Sequence, residues 1–184
     1  MSNIDYYIAY ESIGISRVEA EELEKTLSTD FDNASAHLKL IGYYSRHYYC
    51  CEEASKARFP HVEWLLMTQP EFDYNLTPLL STHLVDREGY AIMKALCLTA
   101  LTSQPSNPTL LRNISALVHR EDPAWAEALL CKAVILEPSN DLLAELLTEI
   151  KADSALLLSN RKNFENEPGK FVYPSKCPHI SGDY

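Results

Sequence analysis

The side chains best equipped for chemistry in this sequence are histidines, cysteines and carboxylates gathered around residue 50. His47 and Cys50 stand three apart, so one helical face could offer both to a metal ion. Two ligands do not complete a tetrahedral site, and His61 would have to arrive from the next helix. The three therefore read as a packing cluster of Tyr, His and Cys, with no metal and no cofactor expected. The adjacent Cys50 and Cys51 invite a redox reading, but neighbours on a helix point apart, which favours two separate thiols. Glu52, Glu53 and Glu63 could be set against one another for acid–base work. Hydrolysis needs two carboxylates held at a fixed separation in a cleft, and these read instead as a solvated helix face. No glycine-rich phosphate loop, nucleophile elbow or His-Glu-x-x-His pattern occurs. Catalysis is therefore expected to rank behind binding.

Composition narrows the classes further. The 184 residues suit one domain, or a domain with an appendage, and are 46% apolar and 23% charged. Only five are glycine, too few for hairpin-rich β folds or glycine-looped nucleotide folds. The net charge of −10 argues against a nucleic-acid partner. No apolar stretch reaches the 18 or so residues of a membrane span, and the first ten residues lack the basic start and greasy run of a secretory signal. Five cysteines, an odd number with no Cys-x-x-Cys pair, fit reduced thiols in the cytoplasm. Eight of the acids but only two bases fall within residues 1–33, so this segment carries over half of the net charge.

The elements that must position any site are helices. Ser16 and Glu19 form a capping box, followed by Val18, Leu23 and Leu27. Asp32 or Asn33 caps a second helix striped by Leu38, Ile41, Tyr44 and Tyr48. A third, with Phe59, Val62, Leu65 and Leu66, is expected to start close to Pro60 and to stop before Pro70. Asn107-Pro108 and Asp122-Pro123 are matching start signals. The first opens a stripe of Leu110, Leu111, Ile114, Leu117 and Val118; the second opens Trp125, Leu129, Leu130, Ala133 and Leu136. Asn140 is placed to cap a last helix through Leu142, Leu143, Leu146, Leu147, Ile150 and Leu157. This predicts an all-α chain in three parts: an acidic segment with one helix (1–33), helical repeats with a capping helix (34–160), and an irregular tail (161–184).

Prolines that end helices recur at Pro70, Pro105 and Pro138, and Pro105-Ser106-Asn107 returns as Pro138-Ser139-Asn140. A period near 34 with two helices per unit is the signature of tetratricopeptide repeats. The segment Ala126 to Asn140 resembles the second helix and turn of such a repeat, with Ala126, Leu130, Ala133 and Pro138 at its small, large, small and turn positions. His37 to Tyr44 resembles the first helix, with Gly42 at the small packing position and Ala54 opening the second helix. Ser81, Met93, Cys97 and Ala100 fit the middle unit loosely. The layout is also similar to bacterial tetratricopeptide-like proteins in which a Gly-Tyr-Tyr helix precedes a His-x-x-Trp-Leu helix, here Gly42-Tyr43-Tyr44 and His61, Trp64 and Leu65.

The resemblance implies an α-α superhelix whose first helices line a concave groove suited to peptides. It places Lys39, Tyr43, Arg46 and His47 on that groove, then Thr82, Val85 and Asp86, then Leu111, Ser115 and His119. Tyrosine suits such a surface through its area and polar tip. Part of the family clamps C-terminal carboxylates, but only Lys39 and Arg112 match its five-residue set; Tyr43, Leu79 and Pro108 depart from it. The expected function is a non-catalytic adaptor or scaffold binding a protein or peptide. The alternative is an inhibitory or chaperone partner, such as a bacterial immunity protein or secretion chaperone, whose acidic surface speeds encounter with a basic protein.

Overall fold

Short polar side chains decide where the helices begin. The computed structural model describes residues 4–47, 52–72, 74–81 and 86–165, and among these there is no strand: the fold is all-α. Helix α1 spans Ile4–Glu11 and α2 Arg17–Thr29, joined through a 3-10 turn at Ser12–Gly14. The Ser16 hydroxyl accepts from the Glu19 N–H while the Glu19 carboxylate accepts from the Ser16 N–H, so two otherwise orphaned donors are satisfied. Asn33, rather than Asp32, opens α3 (Ala34–His47) by accepting from the Ala36 N–H. Asn107 and Asp122 open α7 (Pro108–Val118) and α8 (Pro123–Leu136), each with proline at the first helical position, where its missing N–H costs nothing. Helix α4 is Glu52–Thr68, α5 Thr77–Leu80, α6 Arg87–Ser103 and α9 Asp141–Glu165; a second 3-10 turn, Tyr74–Leu76, leads into α5.

One turn recurs between helix pairs. The N–H of Asp30 bonds back to Thr26, and the N–H of Asn33 to Asp30. The same two steps return at Gln69 and Phe72, at Gln104 and Asn107, and at Glu137 and Asn140. These turns start 39, 35 and 33 residues apart. In three of them the asparagine amide also donates to the side chain three residues back: Asp30, Gln104 and Glu137. The repeated Pro-Ser-Asn of the sequence is thus one structural device. Its first copy has Phe31-Asp32-Asn33 instead, which the proline spacing could not reveal.

Helix α3 pairs with α4 and also packs against α1 and α2. The short α5 touches both α3 and α7, α4 lies on α6, and α7, α8 and α9 pack in succession. A continuous core runs from Ala9 through Ile41, Leu65, Leu66, Leu80, Met93, Leu110, Ile114 and Leu130 to Leu143 and Ile150. A second, smaller cluster joins Ala20 and Leu27 of α2 to Ala36 and Leu40 of α3. Buried polar groups tie the elements together. Arg58, 1% exposed, donates through Nη1 to the carbonyls of Leu79 at 3.0 Å and Ser81 at 3.1 Å, and so holds the end of the one-turn α5. Cys97 is buried among apolar groups, which pushes its thiol up to about 12, as befits a small hydrophobe.

Several expectations need correction. The acidic segment holds two helices, not one: α1 lacks a capping signal in its sequence, and its contacts with α3 define it. The third predicted helix does not start near Pro60. Helix α4 begins at Glu52 and carries Pro60 inside it, on the exposed side, while Phe59, Val62, Leu65 and Leu66 face the core as expected. The α7 stripe is buried throughout, but Leu136 of α8 and Leu142 of α9 are exposed. The last helix runs on to Glu165, into the stretch expected to be tail. The Asn140 side chain donates to Glu137. Cys50, Cys51, Tyr48 and residues 166–184 lie outside the described residues.

Candidate functional site

Lys39, Tyr43 and Arg46 follow one another at i, i+4 and i+7, so they share a face of α3. Arg46 is exposed and Lys39 and Tyr43 are partly exposed. Tyr43 packs at the edge of the small α2–α3 cluster, its ring set edge-on to Tyr44 with centroids 5.2 Å apart. His47 is the last residue of α3; its side chain, like Thr82 and Val85, lies outside the described residues. Asp86 opens α6, its Oδ1 accepting from the Gly89 N–H at 2.7 Å. His119 closes α7, with Nδ1 3.1 Å from the Ala116 carbonyl. Ser115 does not belong to an open groove. It is fully buried and donates to the Ala126 carbonyl at 2.9 Å, which locks α7 to α8. Leu111 is likewise buried, because α7 is enclosed on nearly every side from Leu110 to Val118.

The most connected polar group in the first half pairs His61 with His37, a residue to which the sequence assigns no polar role. His37 of α3 and His61 of α4 are both buried, with their Nδ1 atoms 3.0 Å apart. His37 Nε2 lies 2.8 Å from the Phe31 carbonyl, and His61 Nε2 lies 3.1 Å from Glu24 Oε1 of α2. The Tyr44 hydroxyl donates to that same carboxylate oxygen at 2.9 Å. Rings brace the pair: Trp64 stacks on His37 at 4.2 Å, and Tyr44 lies parallel to His61 at 5.8 Å. Trp64 Nε1 also donates to Asp32 at 3.4 Å. Burial lowers the pKa of both imidazoles; Glu24 partly offsets this at His61, and His37 adds to it. Burial and the bond to Glu24 push the Tyr44 phenol up. His61, the third ligand that a metal site with His47 and Cys50 would need, has both ring nitrogens engaged elsewhere. The one sequence signal was His61-x-x-Trp64, which puts both rings on one face of α4.

A second cluster sits where α6 meets the start of α8. Lys94 donates to Asp122 Oδ2 at 2.7 Å, and its ammonium lies 4.9 Å from the Trp125 ring centroid and 5.9 Å from that of Tyr90. Asp122 Oδ1 accepts from the Trp125 N–H. Burial works against the Asp122 carboxylate, but Lys94 and that N–H prevail and hold its pKa below the usual range. Asp122→Ala removes cap and ion pair together and is expected to cost about 1–2 kcal/mol at pH 7, read from the urea midpoint. A carboxylate with lowered pKa stabilises above about pH 4, and that contribution fades as pH falls through the folded value. The gap between wild type and variant should therefore shrink toward pH 3.

Among the described residues no group of three or more His, Cys, Asp or Glu is placed to hold a metal ion, and no helix is long and apolar enough to cross a membrane. The chain was also compared with protein-family models, curated proteins and solved structures, and none of them matches it.

Proposed function

We propose that this chain is a non-catalytic protein-interaction module: a stack of tetratricopeptide-like helix pairs that docks a protein or peptide on the α3 face bearing Lys39, Tyr43 and Arg46. The observation that carries the reading is the inter-helix turn repeated at residues 30, 69, 104 and 137. A turn that recurs every 33 to 39 residues makes successive helix pairs equivalent, which is how repeat stacks are built. The contacts of α5 with both α3 and α7, and of α4 with α6, are consistent with two alternating layers. Reduction of α5 to four residues shortens the first-helix layer beside α3.

The reading predicts a loss of affinity from surface changes that leave the fold alone. Once a partner is captured from native lysate and identified by mass spectrometry, the pair Lys39→Ala and Arg46→Ala is expected to weaken its binding about tenfold or more by calorimetry. Unchanged affinity for both would remove α3 from the interface.

A second reading, an inhibitory or chaperone partner for a basic protein, is favoured by a separate observation. Glu11, Glu19, Glu21, Glu22 and Asp30 are exposed on α1, α2 and the turn that follows, together with the exposed rings of Tyr7, Tyr10 and Phe31. Acids among exposed aromatics suit a cationic surface. On this reading the association rate falls steeply with added salt; a rate indifferent to salt counts against it.

A further inference from the structure

We propose that the Glu24–His61–His37 chain is an acid-released latch that fastens α2 to α3 and α4. The inference is independent of which face binds a partner. It begins with a count of hydrogens. The two rings make three polar contacts: to the Phe31 carbonyl, to each other and to the Glu24 carboxylate. The carbonyl and the carboxylate only accept, so both Nε2 atoms must carry hydrogen for those contacts to be bonds. The central contact, two nitrogens 3.0 Å apart, holds one hydrogen and no more. Three hydrogens on four ring nitrogens make one positive charge, shared by the pair and balanced by Glu24. A second added proton sets N–H against N–H, and the pair must part.

The surroundings resist that second proton. Glu24 is the carboxylate bonded to the pair, and Asp32 lies near His37. Tyr44 faces Glu24 with Glu21 behind it, and Trp64 closes the stack on His37. Burial outweighs these acids at both rings, and the charge the pair already shares adds to it, so the second proton is held below the ordinary imidazole pKa. A second proton bound more weakly by the folded pair than by the unfolded chain leaves stability intact above the unfolded value, near 6.5, and withdraws it as pH falls below that. Helix α2 is the element most exposed to the loss. Its apolar anchor is the small cluster of Ala20 and Leu27 on Ala36 and Leu40, separate from the main core. At 13 residues it is marginal as a free helix.

The test is amide hydrogen exchange on the intact chain at pH 7.5 and pH 5, with intrinsic rates corrected. Protection of residues 17–29 is expected to fall at least about tenfold at pH 5, while α7 and α8 hold theirs. His37→Gln and His61→Gln should each flatten that response. Protection of α2 that does not change with pH, or that falls equally in α7 and α8, overturns the latch. So does a pH response of wild-type size in both variants. Should the variants fail to fold, a nitrogen NMR titration of the wild-type imidazoles decides the matter: titration of each ring independently near 6.5 overturns it, and two coupled steps, the second displaced to lower pH, uphold it.

Discussion

Replacing Asn113 by leucine is expected to lower the unfolding free energy by about 2–4 kcal/mol, seen as a lower urea midpoint at unchanged slope. Asn113 is fully buried in the middle of α7, and its Nδ2 donates to the Phe72 carbonyl at 3.0 Å and the Pro70 carbonyl at 3.3 Å. Its Oδ1 accepts from Arg112. Leucine has the same branched shape with the same number of heavy atoms and somewhat more bulk, so no cavity opens and the loss is chiefly one of hydrogen bonds. The buried Phe72 carbonyl would be left unpaired at about 1–3 kcal/mol and the half-buried Pro70 carbonyl at less, against a modest gain from burying leucine. Asn140 provides the control. It makes a similar amide contact to Glu137, but at an exposed turn, so Asn140→Ala should cost no more than about 0.5 kcal/mol. Equal losses at the two sites would show that burial does not set the magnitude.

Asn113 also illustrates what could be read in the sequence and what could not. Signals confined to a few neighbouring residues were legible: the Ser16–Glu19 box, the Asn107-Pro108 and Asp122-Pro123 starts, and the five-residue stripe of α7. The caps are satisfied by hydrogen bonds within one turn and the stripe shows in its helical spacing, so each can be read from neighbouring residues. The position of Asn113 inside the α7 stripe looks like an interruption until the Phe72 carbonyl is brought to it across 41 residues. The histidine pair is hidden in the same way, since Glu24, His37 and His61 come from three helices and no spacing announces them. Ser115 was misplaced for a related reason. Repeat registers assign a first-helix face to the groove, but α7 is walled in by its neighbours and its hydroxyl turns to the Ala126 carbonyl. Pro60 misled in the opposite direction. A helix start is its common context, yet α4 has enough buried side chains on either side, Ala54 and Phe59 before it and Val62 to Leu66 after, to carry it in the interior.

Gly42 is the position where local preference and tertiary packing predict opposite signs. In an isolated helix, glycine to alanine gains about 1 kcal/mol. Here α1 crosses α3 so closely that a Cβ at position 42 would overlap the Ala9 carbonyl oxygen and crowd the Ala9 backbone behind it. Backbone cannot swing aside as a flexible side chain can, so the whole of α1 must move, taking Ala9, Tyr6 and Ile8 from the core. Gly42→Ala in the full chain is therefore expected to destabilise by about 1–3 kcal/mol and to strip exchange protection from residues 4–11 first. The sequence marked Gly42 as a small packing residue, but it did not show that the partner is α1, a helix without a sequence signature. Removal of residues 1–14 supplies the decisive comparison. With α1 gone the overlap vanishes, and the same substitution should then stabilise by up to about 1 kcal/mol. Destabilisation in both backgrounds would mean that the glycine answers to something other than α1, and stabilisation in both would mean that α1 does not rest on α3 at this point.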